Sequence, residues 1–164
     1  MPAFVGIDPG LSGAVALWDT DHKRLRVWDM PVLKIQGKSV LNEPILADTL
    51  SSLTVWPDVQ VFVEQVHAMP RQGVTSMFSF GMSYGIVKGI LAALDLPTTY
   101  VTPQAWQRRM GVAHARVPNG GKNASRLRVL QLFPQYAALF ERVCDNGRSD
   151  AALIALFGAC QRDG

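Results

Sequence analysis

Two short apolar segments of the chain each end on a carboxylate. Ala3–Ile7 is a continuous apolar run of the kind found in strands that are buried on both faces, and Asp8 follows it directly. Val59–Val63 is a second strand-like run, and it ends at Glu64. The segment between them, Glu43–Leu53, has the apolar spacing of a helix. A strand, a crossover helix and a parallel strand place both strand ends at one edge of a sheet, so we expect the two carboxylates to lie close together.

A third carboxylate, Asp150, lies in the first turn of a predicted C-terminal helix over Arg148–Gln161. It shares a helix face with Leu153 and Ile154, which must pack on the sheet, so we expect Asp150 to point inward. An acid at a helix N-terminus also stabilises the helix dipole, a general role worth only about 0.3–1 kcal/mol. Asp145, five residues earlier, is either a turn or capping residue or a fourth member of the acidic group.

Carboxylates gathered at one sheet edge repel each other unless a cation joins them. Oxygen ligands favour hard ions such as Mg²⁺ or Mn²⁺. Two such ions ~3.5–4 Å apart can activate a water and stabilise the leaving oxygen of a phosphodiester. The sequence therefore predicts a two-ion centre in which Asp8 bridges the ions, while Glu64, Asp150 and Asp145 flank them.

The order of the predicted elements indicates an α/β protein with a mixed five-stranded sheet flanked by helices. Pro9-Gly10 predicts a tight turn with a positive φ at Gly10, and Pro31–Asn42 predicts a polar loop. Asn42 and Thr102 are predicted to cap the helices that follow them. The strands are predicted at Pro2–Asp8, Gly13–Asp19, Lys23–Met30, Val59–Glu64 and Thr98–Val101.

A long helix is predicted from Thr75 or Ser76 to about Leu94. It carries glycines at a spacing of four, which predicts close packing against the sheet or another helix. Further helices are predicted from Pro103, between Asn123 and Phe133, and over the C-terminal segment, and a flexible stretch is predicted over Val112–Lys122. The glycines of the long helix are Gly81, Gly85 and Gly89.

The composition predicts one soluble domain over residues 1–164, because 48% of the residues are hydrophobic and 18% are charged. The net charge of +3 permits an anionic partner without requiring one. We expect a cytoplasmic or otherwise intracellular protein, since the sequence shows neither a transmembrane run nor a signal-peptide pattern. Cys144 and Cys160 match no metal-binding or redox spacing.

Three blocks of the sequence, in this order, resemble the signature blocks of RuvC-type Holliday-junction resolvases. They are Gly6–Gly10, Val63–Gln65 and Gly147–Ala155. The long glycine-containing helix, the Thr102-Pro103 helix start and the pattern around Asp150 are most similar to the phage and chloroplast branch. The resemblance covers nearly the whole chain.

This resemblance implies an RNase H-like fold, a Mg²⁺-dependent structure-selective endonuclease, and a homodimer with two active sites. A two-fold dimer suits a four-way junction, because paired nicks on symmetric strands need two symmetric sites. Carried over by position, the catalytic acids would be Asp8, Glu64 and Asp150. Relatives often have a His or an Asp three or four residues before the last acid, where this chain has Gly147 and Asn146. Asp145 is preferred over Asn146 as the fourth ligand on charge alone.

Several cations and aromatic residues are candidates for DNA contacts. Lys122 follows a glycine pair near a predicted helix N-terminus, which is a favourable place for a phosphate. The resemblance implies that an aromatic residue early in the long helix wedges into the junction, although core packing is the alternative for Phe78 and Phe80. The remaining candidates for phosphate contacts are Arg71, Arg108, Arg109 and Arg126.

Two other functions are compatible with the same residues. One is an RNase H-like nuclease that acts on another substrate, such as an RNA–DNA hybrid. The other is a branched-DNA-binding protein without catalysis, which has lost its fourth ligand. The acids alone do not separate these functions, whereas junction cleavage with Mg²⁺ would.

Overall fold

The computed structural model describes residues 2–65, 73–112 and 123–162. A five-stranded sheet has the strand order β3-β2-β1-β6-β7, in which β1–β6 and β6–β7 are parallel and the other two pairs are antiparallel. The predicted mixed α/β sheet is therefore confirmed. The strands of this sheet are β1 (Pro2–Asp8), β2 (Ala14–Asp19), β3 (Arg24–Asp29), β6 (Asp58–Glu64) and β7 (Thr98–Val101).

Helices cover both faces of the sheet. One face packs against α3 (Pro103–Met110), α4 (Ala124–Leu132) and α5 (Asn146–Arg162). The other face packs against α1 (Glu43–Ser51) and α2 (Val74–Ala93). Short 3₁₀ turns follow at Ser52–Val55, Pro134–Leu139 and Val143–Asp145. Among the described residues, no helix is long and apolar enough to cross a membrane.

The predicted caps of α1 and α3 are present. The Asn42 side chain accepts a hydrogen bond from the Ile45 backbone N–H at 3.4 Å, and the Thr102 hydroxyl accepts one from the Ala105 backbone N–H at 3.3 Å. Both helices also have a proline in their first turn, where the missing N–H costs nothing. The sequence therefore determines where each of these helices begins.

Gly6 allows α5 to lie directly on the central strand β1. A β-carbon at this position would collide with the Ala151 carbonyl oxygen and the Ala155 backbone nitrogen of α5. Gly147, at the start of α5, has the same role against the loop after β1, where a β-carbon would collide with the Ser12 carbonyl oxygen. These two contacts hold the first turns of α5 beside the end of β1.

The predicted polar loop over Pro31–Asn42 is wrong. This segment forms a separate two-stranded sheet of β4 (Val32–Ile35) and β5 (Lys38–Leu41). Gln36 and Gly37 connect the strands with φ values of 48° and 77°, the left-handed pair that closes a tight hairpin. The strands are only four residues long and their apolar side chains are largely exposed, so the sequence lacks the alternation that marks a half-buried strand.

Two expectations about glycines are also corrected. Gly10 does not have a positive φ; its backbone N–H instead donates a hydrogen bond to Asp8 Oδ1 at 3.1 Å. The glycines of α2 do not pack closely within the described part of the chain, since a β-carbon at Gly81, Gly85 or Gly89 would meet nothing within 4 Å. The opposite side of α2 packs on the sheet instead, through Val87 and Leu91.

Candidate active site

Asp8 ends the central strand and is held by the turn that follows it. Its Oδ1 accepts the hydrogen bond from the Gly10 N–H at 3.1 Å, and the Gly13 N–H donates to the Gly10 carbonyl at 2.9 Å. Burial raises the pKa of Asp8, while the hydrogen bond from Gly10 opposes that shift. The strand and turn therefore hold the Asp8 carboxylate in a buried position, where no cation of the described residues pairs with it.

Glu64 ends β6, the parallel neighbour of β1. Its Oε1 accepts a hydrogen bond of 2.9 Å from the indole Nε1–H of Trp106. Burial raises the pKa of Glu64 to about 7; the Trp106 hydrogen bond lowers it and the charge of Asp8 raises it further. The predicted proximity of the two strand ends is thus present in the structure.

Asp150 lies in the second turn of α5, next to the same sheet edge. Burial raises its pKa to about 7, the Ser125 hydroxyl counteracts part of this shift, and the charges of Asp8 and Glu64 add to it. Its Oδ1 is buried and has no hydrogen-bond partner among the described residues. Because the three carboxylates affect each other electrostatically, we treat Asp8, Glu64 and Asp150 as one group, the acidic edge.

The acidic edge has the chemistry of a divalent-metal site but is not a closed cage. Within residues 2–65, 73–112 and 123–162, no three His, Cys, Asp or Glu side chains are arranged closely enough to hold an ion as they stand. The donors are nevertheless hard oxygen atoms, and no described Lys or Arg forms an ion pair with them. A buried Asp150 Oδ1 without a hydrogen-bond partner among the described residues, beside two further acids, is a suitable donor for a divalent cation.

Asp145, the predicted fourth ligand, is paired with cations of the chain itself. Arg142 Nη2 is 2.8 Å from Asp145 Oδ1, and the Arg142 backbone N–H donates to Oδ2 at 3.0 Å. Although burial raises the pKa of Asp145, the hydrogen bonds and charge of Arg142 hold it below its usual value. Arg148 adds its charge to Asp145 and binds Asp29 at 2.5 and 2.6 Å. We call Asp29, Arg142, Asp145 and Arg148 the ion-pair cluster.

Asn146, the other alternative for a fourth ligand, lies at the first position of α5. It precedes Asp150 by four residues, which puts both side chains on one face of α5. Its Oδ1 is buried and unpartnered among the described residues, as is Asp150 Oδ1. An amide oxygen is a suitable but neutral ligand for a hard cation.

The predicted DNA-contacting cations occupy different surfaces. Arg108 and Arg109 are exposed on α3 and line a shallow groove of about 520 Å³ with Phe157 of α5. Arg126 on α4 donates to the Glu141 carbonyl at 3.2 Å and follows Ser125, the neighbour of Asp150. None of these three pairs with an acid of the acidic edge in the described structure. Arg71 and Lys122 lie outside the described residues.

The two aromatic candidates differ in exposure. Phe78 is 72% exposed on α2, so core packing is excluded for it within the described structure. Phe80 is half-buried and lines a groove of about 650 Å³ beside Gly10 and Ser12, which follow Asp8. Lys38 and Ser76 line the same groove. Both aromatic residues remain candidates for base contacts.

Sequence reasoning missed two residues that contact or adjoin the acidic edge. Trp106 follows the end of β7 by five residues and shares the apolar face of α3 with Met110, which is a signal for burial but not for contact with Glu64. Ser125 lies at the start of α4 and is 8% exposed. Only the three-dimensional arrangement identifies either residue.

Comparison with known proteins yields structural matches alone: no protein-family model and no curated protein matches the chain. A RuvC from Thermus thermophilus in complex with a Holliday junction substrate superposes with a TM-score of 0.63 at 18% identity, covering 100% of this chain and 97% of that chain. The chain has the RNase H-like fold of RuvC. A second Thermus thermophilus RuvC structure gives a TM-score of 0.60 at 16% identity, covering 98% of this chain and 95% of that chain. The resemblance to RuvC-type resolvases is thus confirmed for the fold along the whole chain.

Proposed function

We propose that this protein is a metal-dependent, structure-selective endonuclease that resolves four-way DNA junctions by paired symmetric nicks. The observation that carries this proposal is the acidic edge: three carboxylates from two parallel strands and one helix meet in the fold of RuvC. A protein of that fold is described in complex with a Holliday junction substrate, which supports the same class of substrate here.

Asp8, Glu64 and Asp150 would hold Mg²⁺ or Mn²⁺, and the Asn146 amide oxygen would be a neutral fourth donor. Bound divalent ions supply an activated water and stabilise the leaving oxygen of a phosphodiester. The chain contributes a central Asp8 fixed by the Gly10 N–H and a Glu64 oriented by Trp106. Burial of the three acids excludes water from around them, which strengthens their attraction for a cation.

A homodimer is part of the proposal, because two symmetric nicks need two symmetric sites. The uncovered face of α2 supports it: a β-carbon at Gly81, Gly85 or Gly89 would meet nothing of the described chain within 4 Å, and Phe78 is 72% exposed nearby. Light scattering should give a mass of twice 18.0 kDa in solution. A monomer that still nicks both strands of a junction in concert would contradict this part.

Arg108 and Arg109 are proposed to contact DNA phosphates. Arg109→Ala should weaken junction binding modestly and reduce the slope of log K against log salt by about one. Arg162→Ala is the matched control, because Arg162 pairs with Asp58 at 2.6 Å at the start of β6, away from the acidic edge. Equal effects of the two substitutions would count against a specific contact by Arg109.

The proposed substrate is tested by gel cleavage of labelled DNA. The substrates are a synthetic four-way junction, a linear duplex and an RNA–DNA hybrid, each with Mg²⁺, Mn²⁺ or EDTA. We expect paired symmetric nicks on the junction with either ion and none in EDTA. Junction binding without cleavage would make the protein a branched-DNA-binding protein, and preferential cutting of the hybrid would keep the metal site while replacing the substrate.

A further inference from the structure

Trp106 is the one side chain among the described residues that forms a hydrogen bond with the Glu64 carboxylate. The indole Nε1–H donates to Oε1 at 2.9 Å, and the Trp106 side chain is completely buried. It packs with Met110 and Val101 and with the apolar side of α5. A large aromatic ring that is packed on all sides has a fixed orientation, so its N–H is a fixed donor.

The local fold explains why the indole reaches Glu64. Glu64 is paired with Val101 in neighbouring strands, and the Gln65 backbone N–H donates to the Val101 carbonyl at 2.7 Å. The cap at Thr102 then starts α3 immediately after β7. Trp106, at the fourth position of α3, is therefore held beside the end of β6 by both the strand pairing and the helix cap.

The chemical character of this donor distinguishes it from the donors around Asp145. A lysine or arginine partner would orient the carboxylate but would also neutralise it and repel an incoming cation. An indole N–H carries no charge, so it orients Glu64 while leaving the full negative charge available. It occupies Oε1 and leaves Oε2 without a side-chain partner among the described residues.

We propose that Trp106 is a positioning residue for the acidic edge: its buried, neutral indole N–H fixes the Glu64 carboxylate in the orientation that binds a divalent cation. This inference rests on the proposed function for the identity of the ligand. A carboxylate with three rotatable bonds loses orientation when the one side-chain donor that the described residues give it is removed, and outer donors of this kind typically change metal affinity by about 10–100-fold.

The test is the substitution Trp106→Phe, which removes the N–H and retains an aromatic ring. The matched control is Trp18→Phe, because Trp18 packs in the same apolar cluster, edge-on to Phe133 at 5.1 Å. Mn²⁺ binding to the DNA-free protein is measured by calorimetry, and the Mg²⁺ concentration for half-maximal junction nicking is measured separately.

We expect Trp106→Phe to weaken Mn²⁺ binding about tenfold and to raise the Mg²⁺ requirement by a similar factor. Trp18→Phe should leave both unchanged, whatever it does to the melting temperature. Mn²⁺ affinity of Trp106→Phe within about twofold of Trp18→Phe would overturn the inference, since lost packing alone would then explain the variant.

A metal-free measurement separates this inference from the proposed function. Melting temperatures of Trp106→Phe, Glu64→Ala and the double variant form a thermodynamic cycle in EDTA. We expect the two single shifts not to add, because each substitution removes the same hydrogen bond. Wild-type protein that neither nicks a junction nor binds Mn²⁺ would refute the proposed function, whereas additive shifts would refute the fixed contact between Trp106 and Glu64.

Discussion

The acidic edge and the ion-pair cluster both adjoin the first turns of α5, yet their electrostatics are opposite. Burial raises the pKa of Glu64 and Asp150 to about 7, and the side chains that oppose these two shifts are a neutral indole and a neutral hydroxyl. Arg142 instead holds the pKa of Asp145 below its usual value. A position near the start of α5 therefore does not decide whether the pKa of an acid is raised or lowered; its neighbouring groups do.

The difference lies in where the compensating positive charge comes from. In the ion-pair cluster the chain supplies it, with Arg142 and Arg148 bound to Asp145 and Asp29 at distances of 2.5–2.8 Å. In the acidic edge the described chain supplies none, and the acids repel one another. The first arrangement is complete in itself and stabilises the start of α5. The second is destabilised when its acids ionise, and it is stabilised by protonation or by a bound cation.

The largest expected effect is the loss of cleavage in Asp150→Asn. Removing one acid of the acidic edge should lower the junction-nicking rate by at least about 10³-fold, as loss of a central catalytic group does. The melting temperature in EDTA should rise, because a buried repulsive charge is gone. Single-turnover cleavage and thermal melts measure the two quantities. Nicking within about tenfold of wild type would remove Asp150 from the site.

The second prediction is a loss of stability with rising pH in the metal-free protein. The folded-state pKa of Glu64 and Asp150 is raised from 4.5 and 3.8 to about 7, so the native state retains these protons longer than the unfolded state. Stability should therefore fall as pH rises from about 4 to about 7 and change little from this source above it, which melting temperatures measure.

Mg²⁺ should restore most of this loss at pH 8, because a cation stabilises the ionised acids. Asp145 has the opposite sign: its pKa is lowered, so its contribution is present above the ordinary value of 3.8 and disappears as pH falls below it. Melting curves in EDTA for wild type and Asp150→Asn separate the two windows. A wild-type profile that is flat between pH 4 and 7 would contradict the electrostatic contrast.

The third prediction concerns Gly6, which sets the distance between β1 and α5. Gly6→Ala should lower the free energy of unfolding by about 1–3 kcal/mol, because the new methyl group collides with α5 backbone at Ala151 and Ala155. It should also reduce cleavage, since Asp150 moves with α5. A denaturation midpoint of Gly6→Ala equal to that of the wild type would refute the close contact.

The smallest effect is expected for Asp145→Asn. Loss of the pair with Arg142, whose side chain is 64% exposed, should lower the urea midpoint by less than Gly6→Ala does, because an exposed partner contributes little. Cleavage by the folded protein should stay within about threefold of wild type. Urea denaturation and cleavage rates at a temperature below the transition measure the two effects. A loss of cleavage as large as that of Asp150→Asn would return Asp145 to the metal site.

The parts of the fold and site that are local in sequence could be predicted, and the long-range contacts could not. The apolar runs that end at Asp8 and Glu64 identify their strands, and the crossover between them implies a parallel pair. The Trp106–Glu64 contact spans 42 residues and the Arg148–Asp29 contact spans 119, so no local pattern reveals them. Asp145 is different, because Arg142 lies only three residues before it. A spacing of three allows an ion pair on a helical turn, and that pair competes with metal binding by Asp145.

The prediction of a loop in place of the β4–β5 hairpin was wrong for another reason. Its four-residue strands expose Leu33 and Ile35, so burial leaves no period of two in the sequence. The predicted close packing of the α2 glycines was wrong for a similar reason. A spacing of four identifies one face of a helix, but it does not show whether the same chain covers that face.

The most direct measurement compares Asp8→Asn with Asp145→Asn in nicking a labelled four-way junction, with Mg²⁺ and with EDTA. Wild type and Asp145→Asn should both produce paired symmetric nicks with Mg²⁺ and none with EDTA, whereas Asp8→Asn should bind the junction without cutting it. Cutting by Asp8→Asn, or cutting by any variant in EDTA, would contradict a metal-dependent nuclease site at the acidic edge.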